Sequence, residues 1–201
     1  MAKKNIFRLV FYKIFRRKYE IVTFPACAFG DNGIHIIALR DIPRHGVEKG
    51  TVGGSVSSYR NLSQFGDCWV GENGDVGGKA RVSGDAIVRS HAKVYGGAKI
   101  KDQAIVYGHA EVYDNALIKD TAEVYGQAKV FGHAKIHGET LVHSDANVYG
   151  QCTISGRSTI RDNAQVYAKS TVIDSDICGN SVICGRARLV NKTICNKTIH
   201  R

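Results

Sequence analysis

Between positions 70 and 172 an aliphatic residue returns every six residues without a break. Two places before each stands a small residue, as at Ala80, Ala86, Ala92 and Ala98, and later Cys152, Ser158 and Ala164. Strand side chains alternate between faces, so the aliphatic and the small residue point one way and their neighbours the other. Two places after each aliphatic comes turn chemistry, for example Gly84, Gly96, Asp102 and Gly108, residues that tolerate the left-handed backbone of a tight corner. Six residues are therefore one short strand plus one corner. Such a unit buries its apolar side only when copies stack on it.

The outward positions tell how many units close a turn. With the aliphatic residue as position i, steps of 18 along i+1 collect Tyr95, Tyr113, Phe131, Tyr149 and Tyr167 on one side. The same step collects Lys101, Lys119 and His137 on another, where Arg81, Lys99 and Lys135 stand at i−1. Because 18 sorts aromatic from basic, three strands make one coil. The third side starts at Val70, carries Trp69, Ile87, Ile105 and Leu141 at i−1 with Tyr107 and Tyr125 at i+1, and reads as the most apolar exterior. Beside the aromatic column Lys93, Glu111 and Lys129 alternate in sign, which favours in-register stacking.

The fold class expected is all-β, a three-sided parallel β-helix over residues 68–199, of about seven coils and about 34 Å long at roughly 4.8 Å per strand. After Val172 the series loses one residue and resumes at Ile177, Ile183, Leu189 and Cys195, which marks a bulge or an altered corner. Residues 21–67 read as a hairpin and connecting cap, with strands over 19–28 and 34–42 around Gly30-Asp31-Asn32-Gly33.

Residues 1–20 form a basic aromatic arm, with Lys3, Lys4, Arg8, Lys13, Arg16, Arg17 and Lys18 against Glu20 alone. Much of the formal charge of +10 sits there, which weakens any reading of the whole chain as a nucleic-acid-binding protein. Residues 6–17 mix apolar and basic side chains densely. As a helix they could lie on an anionic membrane surface, dock on a partner or attach to nucleic acid; as a strand they could extend the cap. No stretch approaches the roughly 18 to 20 apolar residues of a spanning helix, so a cytoplasmic chain is expected, with peripheral attachment at a membrane as the alternative. The six cysteines show no CxxC pair and no zinc-like spacing, and read as reduced thiols filling small apolar spaces. No metal site is expected.

The repeats resemble those of the hexapeptide-repeat acyltransferase superfamily, which implies that the β-helix is left-handed. Upstream, Ala38-Leu39-Arg40-Asp41, Gly53-Gly54, Asn61-Leu62-Ser63-Gln64 and Gly66-Asp67-Cys68-Trp69 are similar to the entry segment of the bacterial YdcK-like proteins. Together the two likenesses cover most of residues 34–199. They imply a homo-oligomer, with a trimer favoured, and sites between subunits. They also imply acetyl-CoA or acyl-CoA as donor and a histidine that takes a proton from the acceptor's hydroxyl or amine. His91 and His109 fall on one corner and His133 on another, where they are candidates for that base; the equivalent places hold Asn73, Gln127 and Asn163, so a histidine there also reads as an alternative to an amide. Unbroken spacing leaves no projecting catalytic loop between positions 70 and 172. Apart from that likeness the residues call for no cofactor.

The function expected first is a rigid oligomeric binding or assembly module that touches a second subunit or a protein partner. Its binding surface would be the column Tyr95, Tyr113, Phe131, Tyr149 and Tyr167, which could equally be a ladder that only stabilises strand pairing. The basic side, Arg81, Lys99, Lys101, Lys119, Lys135 and His137, could meet phosphate, CoA or an acidic polymer, or be ordinary solvated lysines.

Overall fold

Each outward or inward position stacks on the residue one coil later. In the computed structural model, which describes residues 17–23 and 34–201, Val70 pairs with Val88, Val76 with Val94 and Val82 with Ile100, all in parallel. Three sheets result, of eleven, eight and seven strands, wrapped round one core. The eight-stranded sheet lies on the third side, the seven-stranded on the basic side, and the eleven-stranded sheet carries the aromatic column.

The core is a column of Val and Ile with a column of Ala beside it, both fully buried from Val76 through Ile183. Where the small position holds a hydroxyl, the corner satisfies it: Thr140 Oγ1 donates to His137 O (2.8 Å) and Ser158 Oγ to Ser155 O (2.7 Å). Ser170 and Ser181 do the same toward Tyr167 O and Cys178 O. A buried hydroxyl with a partner costs little, so Ala and Ser exchange freely along this column.

Corners take left-handed backbone at Gly or at aspartates such as Asp114 (φ 58°) and Asp120 (φ 61°). The aspartates earn their place by capping the next coil. Asp114 Oδ2 accepts the Gly132 N–H (3.1 Å) and Asp120 Oδ2 the Gly138 N–H (3.0 Å). The backbone bond to Gly138, ahead of the neighbouring Lys119 and His137, holds the Asp120 carboxyl below its ordinary value.

At the N-terminal end β1 (Tyr19–Thr23) and β2 (Ile34–Ala38) pair antiparallel, and β2 pairs antiparallel with β3 (Val52–Val56). β3 then stacks in parallel on Asp75–Val76, placing Val56 over Val76, while Leu62 bridges to Val82. The expected hairpin cap is therefore present and opens a partial coil of its own. Gly53 and Gly54 make the close approach possible. A Cβ on Gly53 would sit 2.7 Å from the Trp69 ring, and one on Gly54 would run into the Gly74 and Gly71 carbonyls. This approach corrects the expected exterior of the third side: Trp69 is 1% exposed, covered by the cap strands, and faces no solvent.

Lys18, counted in sequence with the basic arm, is fully buried. Its ammonium donates to Cys68 O (2.7 Å), Cys68 Sγ (3.1 Å) and Gly66 O (3.3 Å), which uses all three protons. Burial lowers the lysine pKa and raises that of the Cys68 thiol. Residues 1–16 of the arm and the turn at Gly30-Asp31-Asn32-Gly33 lie outside the described residues.

The C-terminal coils shorten three times. Val166 pairs with Ile183 after the expected single loss, but Ile177 then pairs with Ile194, so Cys195 is not the interior residue that the series anticipates. A second residue is lost in the corner before Thr193–Cys195 and a third before Thr198–His200, where Ile183 pairs with Ile199. Cys195 thereby moves to an outward position directly on Cys178, and the two form a disulfide with Cα atoms 4.6 Å apart. The expectation of six reduced fillers holds for buried Cys68, Cys152 and Cys184 and fails for this pair, while Cys27 lies outside the described residues.

Candidate functional site

The i+1 column of the eleven-stranded sheet is a continuous ring stack. Tyr95–Tyr113 centroids are 4.9 Å apart, and Tyr113–Phe131, Phe131–Tyr149 and Tyr149–Tyr167 are each 4.8 Å apart, with planes within 3 to 5° of parallel. That spacing equals the strand separation, so backbone pairing sets the stack. The rings spend their faces on one another and turn their edges outward. Tyr95, at the end of the stack, is the most open at 39% exposure.

The third side carries a second ladder. Arg89 lies over Tyr107 at 5.5 Å, Tyr107 stacks on Tyr125 and Tyr125 on His143, both at 4.8 Å. One coil further, Arg161 makes a bidentate pair with Asp176 (3.2 and 2.9 Å). Tyr107 donates to Glu123 Oε2 (3.3 Å), and burial followed by that carboxylate pushes its hydroxyl up to about 12. Burial, helped by Arg161, lowers the His143 pKa. Arg89 and Arg161 are missing from the candidate residues, although the 18-residue step through Tyr107 and Tyr125 points straight at them.

Between the two ladders the corner opens into a polar trough of about 740 Å³ lined by His109, Glu111, Gln127, Lys129, Asp145 and Asn147. Lys129 and Glu111 pair across it at 3.8 Å, as their alternation in sequence implies. Of the three candidate bases, His91 and His109 are brought together, stacked at 5.2 Å. His91 and Ser90 are both in left-handed backbone, at φ 66° and 55°. His133 stands on the other edge of the aromatic side, at a corner whose next-coil neighbour is Gly150, so it joins no cluster with them. None of these three imidazoles makes a hydrogen bond or ion pair among the described residues.

On the basic side Arg81 pairs in register with Lys99, and Lys119 lies one coil from Lys101 and one from His137. Lys119 Nζ reaches Asp120 at 3.1 Å and His137 Nδ1 lies 3.8 Å from the same carboxylate, so this part is half neutralised. Arg81, Lys99, Lys101 and Lys135 are exposed and make no ion pair among the described residues. Among the described residues no group of three or more His, Cys, Asp or Glu could hold a metal ion, and no helix is long and apolar enough to cross a membrane. Compared with known protein families and with curated proteins, the chain finds no match.

Proposed function

We propose that the protein is a rigid binding or assembly module on the left-handed hexapeptide-repeat plan, oligomeric in solution. The observation that carries this reading is the 18-residue register, unbroken from position 70 to 172, which holds each outward side chain there at a fixed address along the rod. A second subunit or a partner meets several such addresses at once, without ordering a loop to do so. The outer edge of the Tyr95–Tyr167 ladder is the best suited to subunit packing, because its rings are half-buried and already immobile. The entry segment's similarity to the YdcK-like proteins points the same way, toward a repetitive scaffold. Sedimentation of the full chain should give an oligomer, and Tyr113→Ser with Phe131→Ser should shift it toward monomer. A wild-type monomer whose binding ignores the double substitution would sink the proposal.

A second reading, a CoA-dependent acyltransferase for a small polar acceptor, is favoured by one observation: His109 lines a trough of ligand size. Calorimetric titration with acetyl-CoA separates the two. Saturable heat that His109→Gln abolishes selects the enzyme, and its absence in the native oligomer removes it.

A further inference from the structure

The cations of this rod are sorted by edge. Around the corner between the aromatic and basic sides, Lys79, Arg81 and Lys99 cluster at one end, and Lys169, Arg186 and Arg188 at the other, with Lys135 between. All seven are exposed and none is in an ion pair among the described residues. Arg81 and Lys99 are register partners on adjacent strands, an arrangement unfavourable by itself. One carboxylate interrupts this edge, Asp114, which is turned to the Gly132 N–H.

Two other places show that the segregation is not a general excess of lysine. On the aromatic side Asp75, Lys93, Glu111 and Lys129 alternate from strand to strand and cancel. On the far edge of the basic side acids and bases mix: Asp120 pairs with Lys119 and Asp85 with Arg44, while Asp102, Glu139 and Asp174 share the edge with Lys101, Arg157 and Lys192. The cationic edge is thus left uncompensated along six strand spacings from Arg81 to Arg188, roughly 29 Å at about 4.8 Å each.

We propose that this edge binds an extended acidic polysaccharide, whose sulfate or carboxylate groups meet the cations. Its hydroxyls would meet the polar residues interleaved in the same two columns, Asn115, His133, Gln151, Thr153 and Thr171. A single-stranded nucleic acid fits less well. It needs open ring faces for its bases, and the adjacent ladder has used its faces internally. An anionic membrane fits less well too, since the outward residues of this edge offer Leu117 alone for insertion.

This inference names a partner for the module proposed above and rests on that reading. The two fail separately: an oligomer indifferent to polysaccharide sinks only the present idea. Fluorescently labelled heparin oligosaccharide, titrated into the full chain at physiological salt, should bind with an affinity that falls steeply as salt rises. Lys99→Glu with Lys135→Glu, or Lys169→Glu with Arg186→Glu, should weaken it roughly tenfold or more. Lys93→Glu with Lys129→Glu removes as much charge from the alternating column and should weaken it far less. Unchanged circular dichroism checks that these exposed substitutions leave the fold intact. No heparin binding, equal loss in the control pair, no loss in the edge variants, or tighter binding of oligodeoxythymidylate or anionic vesicles would each overturn the assignment.

Discussion

The coils and the cap solve the same packing problem by opposite means. In the coils one solution is repeated: Val over Val, Ala over Ala, each strand two or three residues long and indistinguishable in environment from the next. In the cap every contact occurs once. Lys18 ties β1 to the first coil through Cys68 and Gly66, and Gly53 and Gly54 let β3 approach Trp69 and Val70. Asn61 reaches Gly78 O and Ala80 O (3.1 and 2.9 Å). Repetition spreads stability over many equivalent strands, as in any solenoid, and leaves the ends to be held by particular residues.

The comparison is tested hardest in the middle of the coils. Val130 is fully buried between Val112 and Val148, so Val130→Asp places a carboxylate where no partner waits. A loss above about 4 kcal/mol is expected, enough to leave the chain unfolded or insoluble. A soluble variant with native circular dichroism would mean that the interior is not dry. Gly54→Ala probes the cap with the smallest possible change. The added methyl meets the Gly74 and Gly71 carbonyls and Val70, none of which is a flexible side-chain end, and about 3 kcal/mol is expected. If a denaturant midpoint moves no more than for Gly97→Ala at an ordinary corner, the cap is looser than described.

Lys18→Met sharpens the contrast by asking whether damage stays local. It keeps the aliphatic stem but takes the 2.7 Å donor from Cys68 O and leaves Gly66 O with Arg40, for an expected loss of about 2 kcal/mol. Hydrogen exchange should quicken at β1 and β2 and stay slow in the central coils. Equal quickening throughout would show that the cap and coils unfold as one unit.

These two regions also differ in how much of them the sequence discloses. The six-residue series announces every interior column, because a repeated error would be a repeated cost and each position confirms the last. The 18-residue step likewise identifies the aromatic, basic and third sides before any coordinate is known. What it misses is what occurs once. Trp69 reads as an outward residue because it adjoins Val70, and only the distant Gly53-Gly54 pair reveals what covers it. Ile194 and Cys195 are both apolar neighbours, so a residue lost in a polar corner changes which of them points inward without any trace in the pattern. The aromatic column is legible as a column, but that its rings consume their own faces is a matter of angle and distance. The cationic edge escapes a side-by-side reading because its residues come from a corner and a strand together.

The smallest expected effect compares the regions by titration, since each holds one histidine whose pKa lies below the ordinary 6.5. In the cap, burial disfavours the charged form of His45, and its Nε2 donates to Asp85 O (3.0 Å), with Arg44, Asp67 and Asp85 around it. In the coils, burial and Arg161 do the same to His143, which stacks on Tyr125 with Asp162 and Asp176 nearby. A histidine whose folded pKa is depressed takes up its proton more readily in the unfolded chain. Both therefore give stability that is complete above pH 6.5, falls as pH drops below it, and levels off beneath the folded values. Asp120, with its carboxyl lowered from 3.8, adds a second decline at still lower pH. Denaturant midpoints across pH 6.5 should slope less in His45→Gln and in His143→Gln than in the wild type. Cap and coil each contribute if the two reductions add in the double variant. Stability that rises on acidification, or a slope untouched in the double variant, would refute the assignment of both environments.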